Sequence, residues 1–200
     1  MSLVKDENVK KAQDSDVHFC LSSDSFYDNA FEIKKEVVIP DAKIWISPQK
    51  ATDVFYVVYN KVTSLDKRFP QKYKTKYEDY VLKLQNINEG MKELDKDKTV
   101  VLANEYDLSV FESDYGLKTK ILKEQTGSVM ELATVMKKEN ISAVYYIEGL
   151  LKEPAEVTGN MTNAYVLSLY TGTLNEPEEI KNAPSYLKML ESNLKNLSER

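Results

Sequence analysis

From residue 99 onward the chain alternates between two periodicities, and this constrains the fold more than any other feature. Short apolar runs, Thr99–Ala103, Lys118–Leu122, Ala143–Ile147 and Ala164–Leu169, read as strands. Between them lie segments with apolar residues at helical spacing. Leu108 to Tyr115 reads as a helix closed by Gly116, a residue suited to the position just past a helix end. Ser128 and Glu131 form a capping-box pair before Leu132, Val135 and Met136, with Met130 also counted on that apolar face, and Asn140 ends the segment. Pro154 to Thr158 reads as a short helix and Tyr186 to Leu197 as a closing one. Strands that alternate with helices can be joined in parallel, because each helix supplies the crossover that parallel pairing needs. The expected fold class is therefore α/β, a parallel sheet with helices on both faces.

Two long helices precede this alternation. Ser47 can cap the first and Pro48 suits its first turn, where a missing N–H costs nothing. Val54, Phe55, Val58, Val62 and Leu65 make its apolar face, and Asp66-Lys67-Arg68-Phe69-Pro70 ends it. The second runs from about Gln71 to Leu94, with Tyr73, Tyr77, Tyr80, Val81, Leu84 and Ile87 on its buried side. Earlier still, Val17–Leu21 and Val37–Ile39 read as strands, with helical spacing in Phe26, Tyr27, Ala30, Phe31 and Ile33. Residues 17–39 supply only part of a second sheet.

Composition narrows the function classes. The net charge is -5, with 27 basic residues spread among 32 acids. That balance argues against nucleic-acid binding, which ordinarily shows a basic patch or overall basic balance. One cysteine, Cys20, excludes an internal disulfide, and one histidine, His18, cannot make a zinc site alone. Both sit in an apolar run and read as packing residues. No apolar run approaches the length of a membrane-spanning helix. The polar start at Val4-Lys5-Asp6-Glu7 lacks the apolar stretch of a signal peptide. No phosphate-binding loop, nucleophile elbow or dinucleotide fingerprint is present, and the chain is expected not to be an enzyme. The acid pair Glu178-Glu179 reads as solvent-facing charge.

Several local motifs, in order, resemble one family. Asp41-Ala42-Lys43-Ile44-Trp45-Ile46-Ser47-Pro48 is similar to the D-P-H-[VI]-W-[LM]-[SD]-P stretch of the zinc- or manganese-binding solute proteins of ABC importers. Leu65-Asp66-Lys67-Arg68-Phe69-Pro70 resembles the L-D-P-like turn that follows there. Tyr73, Tyr77, Tyr80 and Leu84 match the family's tyrosine-rich helix, and Tyr115-Gly116-Leu117 its Y-G-L helix end. Ser128 to Leu132 resembles its P-S-x-x-E-L helix start, and Val144 to Glu148 a strand that ends in glutamate. Tyr186 to Leu194 resembles the final Y-L-x-x-[ML]-x-x-N-L helix.

The resemblance implies two α/β lobes bridged by a rigid helix, with a metal ion held in the cleft. Residues 1–47 would then be a remnant of the N-terminal lobe, 48–65 the bridging helix and 66–200 the C-terminal lobe. The implied ligand is transported zinc or manganese. The implied partner is an ABC permease, with the protein a monomer on the extracellular side of the membrane, cell-surface or periplasmic. Position by position the ligands are thinned. The family's first histidine precedes this chain, and its second falls on Lys43, an ammonium with no lone pair. The third falls near Glu105 or Glu124, and the last, an aspartate, near Tyr170. Glu105 and Glu124 are thus the metal-ligand candidates, with Lys43, Trp45 and Tyr170 expected to line the cleft; Trp45 matches the family's packing tryptophan. Carboxylates without histidine favour hard, weakly held ions. Three readings follow: a solute-binding protein with a degenerate metal site, an adhesin-like surface protein that kept the fold without binding metal, and an unrelated cytosolic α/β enzyme.

Overall fold

The structure is a computed structural model and describes residues 46–122, 128–171 and 184–199. The expected strands at 17–21 and 37–39, together with His18, Cys20, Lys43, Trp45, Glu124 and the Glu178-Glu179 pair, lie outside the described residues. The chain divides into two compact units, Met1–Gln85 and Asn86–Arg200, and the boundary falls within one long helix.

In the first unit, helix α1 (Pro48–Leu65) starts as its sequence dictates. Ser47 takes an extended conformation and its side chain accepts from the Lys50 N–H, with Pro48 in the first turn. Ala51 and Val54 are buried, whereas Leu65, expected on the same face, is 55% exposed at the helix end. Helix α2 (Pro70–Lys92) begins after a tight corner. There Asp66 accepts from the Arg68 N–H (2.9 Å), the Arg68 guanidinium (2.9 and 2.8 Å) and the Tyr73 hydroxyl (2.6 Å). Those donors hold the Asp66 carboxyl well below the usual carboxylate range, the Arg68 side chain most and Tyr73 next. The two helices are joined by aromatic contacts: Tyr59 stacks on Tyr77 at 4.6 Å and Phe55 meets Tyr80 at 4.3 Å.

The second unit contains a four-stranded parallel sheet, in the order β2-β1-β3-β4. Its strands are β1 (Thr99–Leu102), β2 (Lys118–Ile121), β3 (Ala143–Ile147) and β4 (Tyr165–Leu169). The central strands are nearly continuous buried runs, the signature of a sheet covered on both faces. On one face Val101, Ala103 and Val144 pack with Leu132 and Met136 of helix α4 (Val129–Glu139) and Ala155 of helix α5 (Glu153–Thr162). The alternate residues serve the opposite face, where the Tyr145 hydroxyl reaches the Asn196 carbonyl of helix α6 (Tyr186–Ser198) at 3.2 Å. Helix α3 (Ser109–Tyr115) packs beside β2. Its Tyr115 hydroxyl donates to Asn88 in the last turns of α2. Together the described residues hold six helices and four strands.

Local signals account for the boundaries. Gly116 takes φ +68° and closes α3, with the Leu117 N–H reaching back to the Phe111 carbonyl. The capping box at Ser128 forms in both directions, each bond 3.1 Å. Met130, expected on the apolar face of α4, is 64% exposed. It lies two residues, about 200°, from Leu132 around the helix and so misses the buried stripe of Leu132, Ala133 and Met136. Helix α5 runs four residues beyond the expected end at Thr158, to Thr162, with Asn163 in the left-handed conformation as its cap. Gly159 does not break the helix because it is a contact residue. A Cβ there would stand 2.6 Å from Val166 Cγ2 and 3.2 Å from the Ala164 carbonyl oxygen, so only glycine lets α5 lie this close to the sheet.

Candidate functional site at the C-terminal edge of the sheet

Parallel sheets bind their ligands outside the carboxyl ends of their strands, where each chain leaves the ladder and its side chains are free to converge. In the second unit this edge carries Asn104, Glu105 and Tyr106 after β1, Glu148 after β3, and Tyr170 and Thr171 after β4. Two of the expected site residues, Glu105 and Tyr170, stand on it. They are not on neighbouring strands, since β3 lies between β1 and β4 and places Glu148 between them.

Glu105 is exposed, directly after the buried Asn104. Glu148 is half-buried, and its N–H continues the ladder to the Leu169 carbonyl at 2.9 Å. Tyr170 is half-buried too. Burial pushes its phenol above the ordinary tyrosine value, and the Glu148 carboxylate adds to the shift. Tyr146, two residues before Glu148, is raised by the same two causes in the same order. Lys152 Nζ stands 5.7 Å from the centre of the Tyr146 ring while pairing with Glu156 at 2.9 Å. The edge thus presents Glu148 beside the Tyr170 phenol, with Tyr146 one residue back from the end of β3 and Lys152 at its flank.

Two buried amides hold this edge in place. Asn104 Oδ1 accepts from the Ile147 N–H (2.8 Å) and its Nδ2 donates to the Leu151 carbonyl (2.9 Å). Asn193 of α6 accepts from the Tyr170 N–H and donates to the Tyr170 carbonyl, both at 2.7 Å. Sequence reasoning does not single out Glu148 as a site residue, although it reads a strand ending in glutamate there. It gives neither asparagine a role, although Asn193 stands at the N of the final Y-L-x-x-[ML]-x-x-N-L match. For Asn193 a signal exists, because it falls in the apolar stripe of α6 with Leu190 and Leu197, and a polar residue on such a stripe needs a buried partner.

Among the described residues no three histidine, cysteine, aspartate or glutamate side chains are grouped to hold a metal ion. A groove of about 1070 Å³ does exist in this unit, but at the opposite, N-terminal edge of the sheet, where Glu93, Asp95, Asp97, Lys98, Lys118 and Glu139 line it. Its two lysines are matched to a carboxylate or to backbone. Lys118 pairs with Asp97 at 3.1 Å, and Lys98 donates to the Leu197 and Glu199 carbonyls at the end of α6. No helix among the described residues is long and apolar enough to cross a membrane.

The architecture is that of the periplasmic metal-binding proteins. The metal-dependent lipoprotein YcdH from Bacillus subtilis superposes with a TM-score of 0.70 at 18% identity, over 98% of this chain and 84% of that one. The cadmium-bound periplasmic metal-binding protein from Candidatus Liberibacter asiaticus gives 0.64 at 19% identity, over 99% and 85%. A manganese-bound structure of the latter protein gives 0.58 at 20% identity over 84% of this chain, which spans 65% of that one. No curated protein sequence matches the chain. Over residues 2–200 the sequence matches the family described as zinc-uptake complex component A, periplasmic (ZnuA), and the chain belongs to that family.

Proposed function

We propose that this protein is a solute-binding component of a zinc or manganese ABC importer, and that the ion is held at the C-terminal edge of the sheet. The observation that carries the reading is the placement of Glu105, a metal-ligand candidate, and Tyr170, expected to line the cleft, on that one edge with Glu148 between them. Family membership and solved neighbours described as zinc-uptake, manganese-bound and cadmium-bound support it. The mechanism is capture, with no bond made or broken: two lobes bridged by the helix at 48–65 close on the ion and present it to a membrane permease outside the cytoplasm. In this reading residues 1–47 belong to the N-terminal lobe and 66–200 to the C-terminal one. The protein works as a monomer carried at the cell surface or in the periplasm.

The donor set sets the ion's character. A zinc or manganese site needs about four converging donors, and the described edge offers oxygen alone. Glu124 is the further carboxylate candidate, outside the described residues. Such a site is degenerate beside a histidine-rich one, and prefers manganese or another hard ion to zinc.

One feature favours a second reading, that of an adhesin-like surface protein which kept the fold without the ion. Lys43 stands where the resembled motif has its histidine, and a protonated lysine repels a cation. Calorimetric titration of the metal-stripped chain with zinc and with manganese separates the two. Binding at about micromolar affinity or tighter, near -8 kcal/mol, supports the importer component. No heat and no thermal shift with either metal sinks it and leaves the surface protein.

A further inference from the structure

Both buried asparagines of the C-terminal edge act as stand-ins for backbone, and each does so at the peptide next to a proposed ion-facing side chain. In a parallel ladder the Ala103 N–H bonds to the Tyr145 carbonyl, as it does here at 2.9 Å. The next bond of that ladder would run from the Ile147 N–H to the Ala103 carbonyl. Instead the Asn104 side-chain oxygen takes the Ile147 N–H at 2.8 Å. The chain of β1 can therefore turn out of the sheet after Ala103 without leaving a buried donor unsatisfied. The Asn104 amide also grips the Leu151 carbonyl, so the direction in which the chain departs is set from two sides. Glu105 is the next residue on that departing chain.

Asn193 performs the same substitution at the sheet's outer strand. Among the described residues β4 pairs with β3 alone, so the peptide groups it turns away from β3 need partners from elsewhere. The Asn193 amide offers one acceptor and one donor to a single residue, Tyr170, as a neighbouring strand would. Asn193 is 2% exposed and Asn104 9%, so neither bond is shared with bulk water. Buried amides are costly when unpaired and rigid when fully paired.

We propose that Asn104 and Asn193 are positioning residues for metal binding, fixing the peptides that carry Glu105 and Tyr170. The inference rests on the importer reading above and adds which residues preorganise its site. Groups that orient metal ligands characteristically change affinity by about 10–100-fold when removed. A merely structural amide would lower stability and leave affinity alone.

The test compares N104L and N193L, which keep the branched side-chain outline and delete the hydrogen bonds, with M136A. Met136 is fully buried in α4, away from the edge. Manganese and zinc affinities are measured by calorimetry at a temperature where each variant is folded, alongside melting without metal. All three variants should melt lower. N104L and N193L should also lose about tenfold or more in affinity, while M136A binds as the parent does. Folded leucine variants with unchanged affinity would overturn the proposal. Should either leucine variant fail to fold, N104D or N193D keeps the acceptor for the Ile147 or Tyr170 N–H and loses the donor. Weakened binding there supports positioning, because the added negative charge alone would favour a cation, and unchanged or tighter binding overturns it. A parent chain that binds neither metal removes the importer reading itself and this inference with it, an outcome visible before any variant is made.

Discussion

The two edges of the one sheet are built by opposite means. At the N-terminal edge there is volume, a groove of about 1070 Å³, and its lysines are spent on structure: Lys98 on the end of α6 and Lys118 on Asp97. At the C-terminal edge two buried amides, each both donating and accepting, do the structural work, and Glu105, Glu148 and Tyr170 are left at the strand ends. Open volume thus marks a joint between elements, while the edge with chemistry to offer is the one whose backbone is held by side chains set aside for that purpose.

The comparison breaks most visibly at Glu105. Removing its charge with E105Q should weaken manganese binding by about tenfold, near 1.4 kcal/mol, whereas E139Q at the other edge should not alter the titration. Equal losses from the two substitutions would erase the distinction between the edges.

A change where α5 lies on the first residues of β3 and β4 tests the packing of the sheet itself. In G159A the new methyl meets Val166 and the Ala164 carbonyl, which forces α5 off β3 and β4. A loss of about 1–3 kcal/mol is expected in denaturant unfolding, with no compensating gain from helix propensity. Wild-type stability would mean that α5 has room the structure denies it.

K98M is the sharper probe of the N-terminal edge. Burial lowers the Lys98 ammonium below the ordinary lysine value, with the Glu199 and Asp95 charges acting the other way, and its Nζ donates to the carbonyls at the end of α6. Losing those bonds should cost about 1 kcal/mol and fray α6 from its C-terminal end, seen as faster amide exchange at Lys195 to Ser198. Metal affinity should not follow. If it does, the two edges are coupled through α6.

The smallest effect lies off the sheet, at the α1–α2 corner. Asp66 is half-buried and its carboxyl is depressed in the folded chain, so its contribution is complete above the unfolded value near 4 and fades as pH falls through and below it. D66N should therefore flatten the drop in melting temperature between about pH 4 and pH 2. Parallel melting curves for the two proteins across that range would show that the ring of donors around Asp66 adds nothing.

Much of this fold was legible from residue patterns. The central strands read clearly because both of their faces are buried, and α4 announced itself through Ser128 and Glu131 before any apolar count. The length of α5 was not legible. Gly159 looks like a weak helix position until the nearness of Val166 shows why no side chain fits. The site was half legible. Sequence order puts Glu105 and Tyr170 just past strand-like runs, and that suffices to place them on one edge of a parallel sheet. The clamps were hidden because Asn193 serves a residue 23 positions away, and Asn104 serves residues 43 and 47 positions away. Such pairings follow from strand order, which local periodicity does not encode.

The central claim is that the ion sits at the C-terminal edge. Substoichiometric manganese added to isotope-labelled protein tests it directly, because the paramagnetic ion broadens the amide signals nearest to it. The edges are about 17 Å apart along a five-residue strand, far enough for steeply distance-dependent broadening to separate them. Selective loss at Glu105, Glu148 and Tyr170 is the predicted result. Selective loss at Asp97, Glu139 and Asn140, around the open groove, would contradict the account.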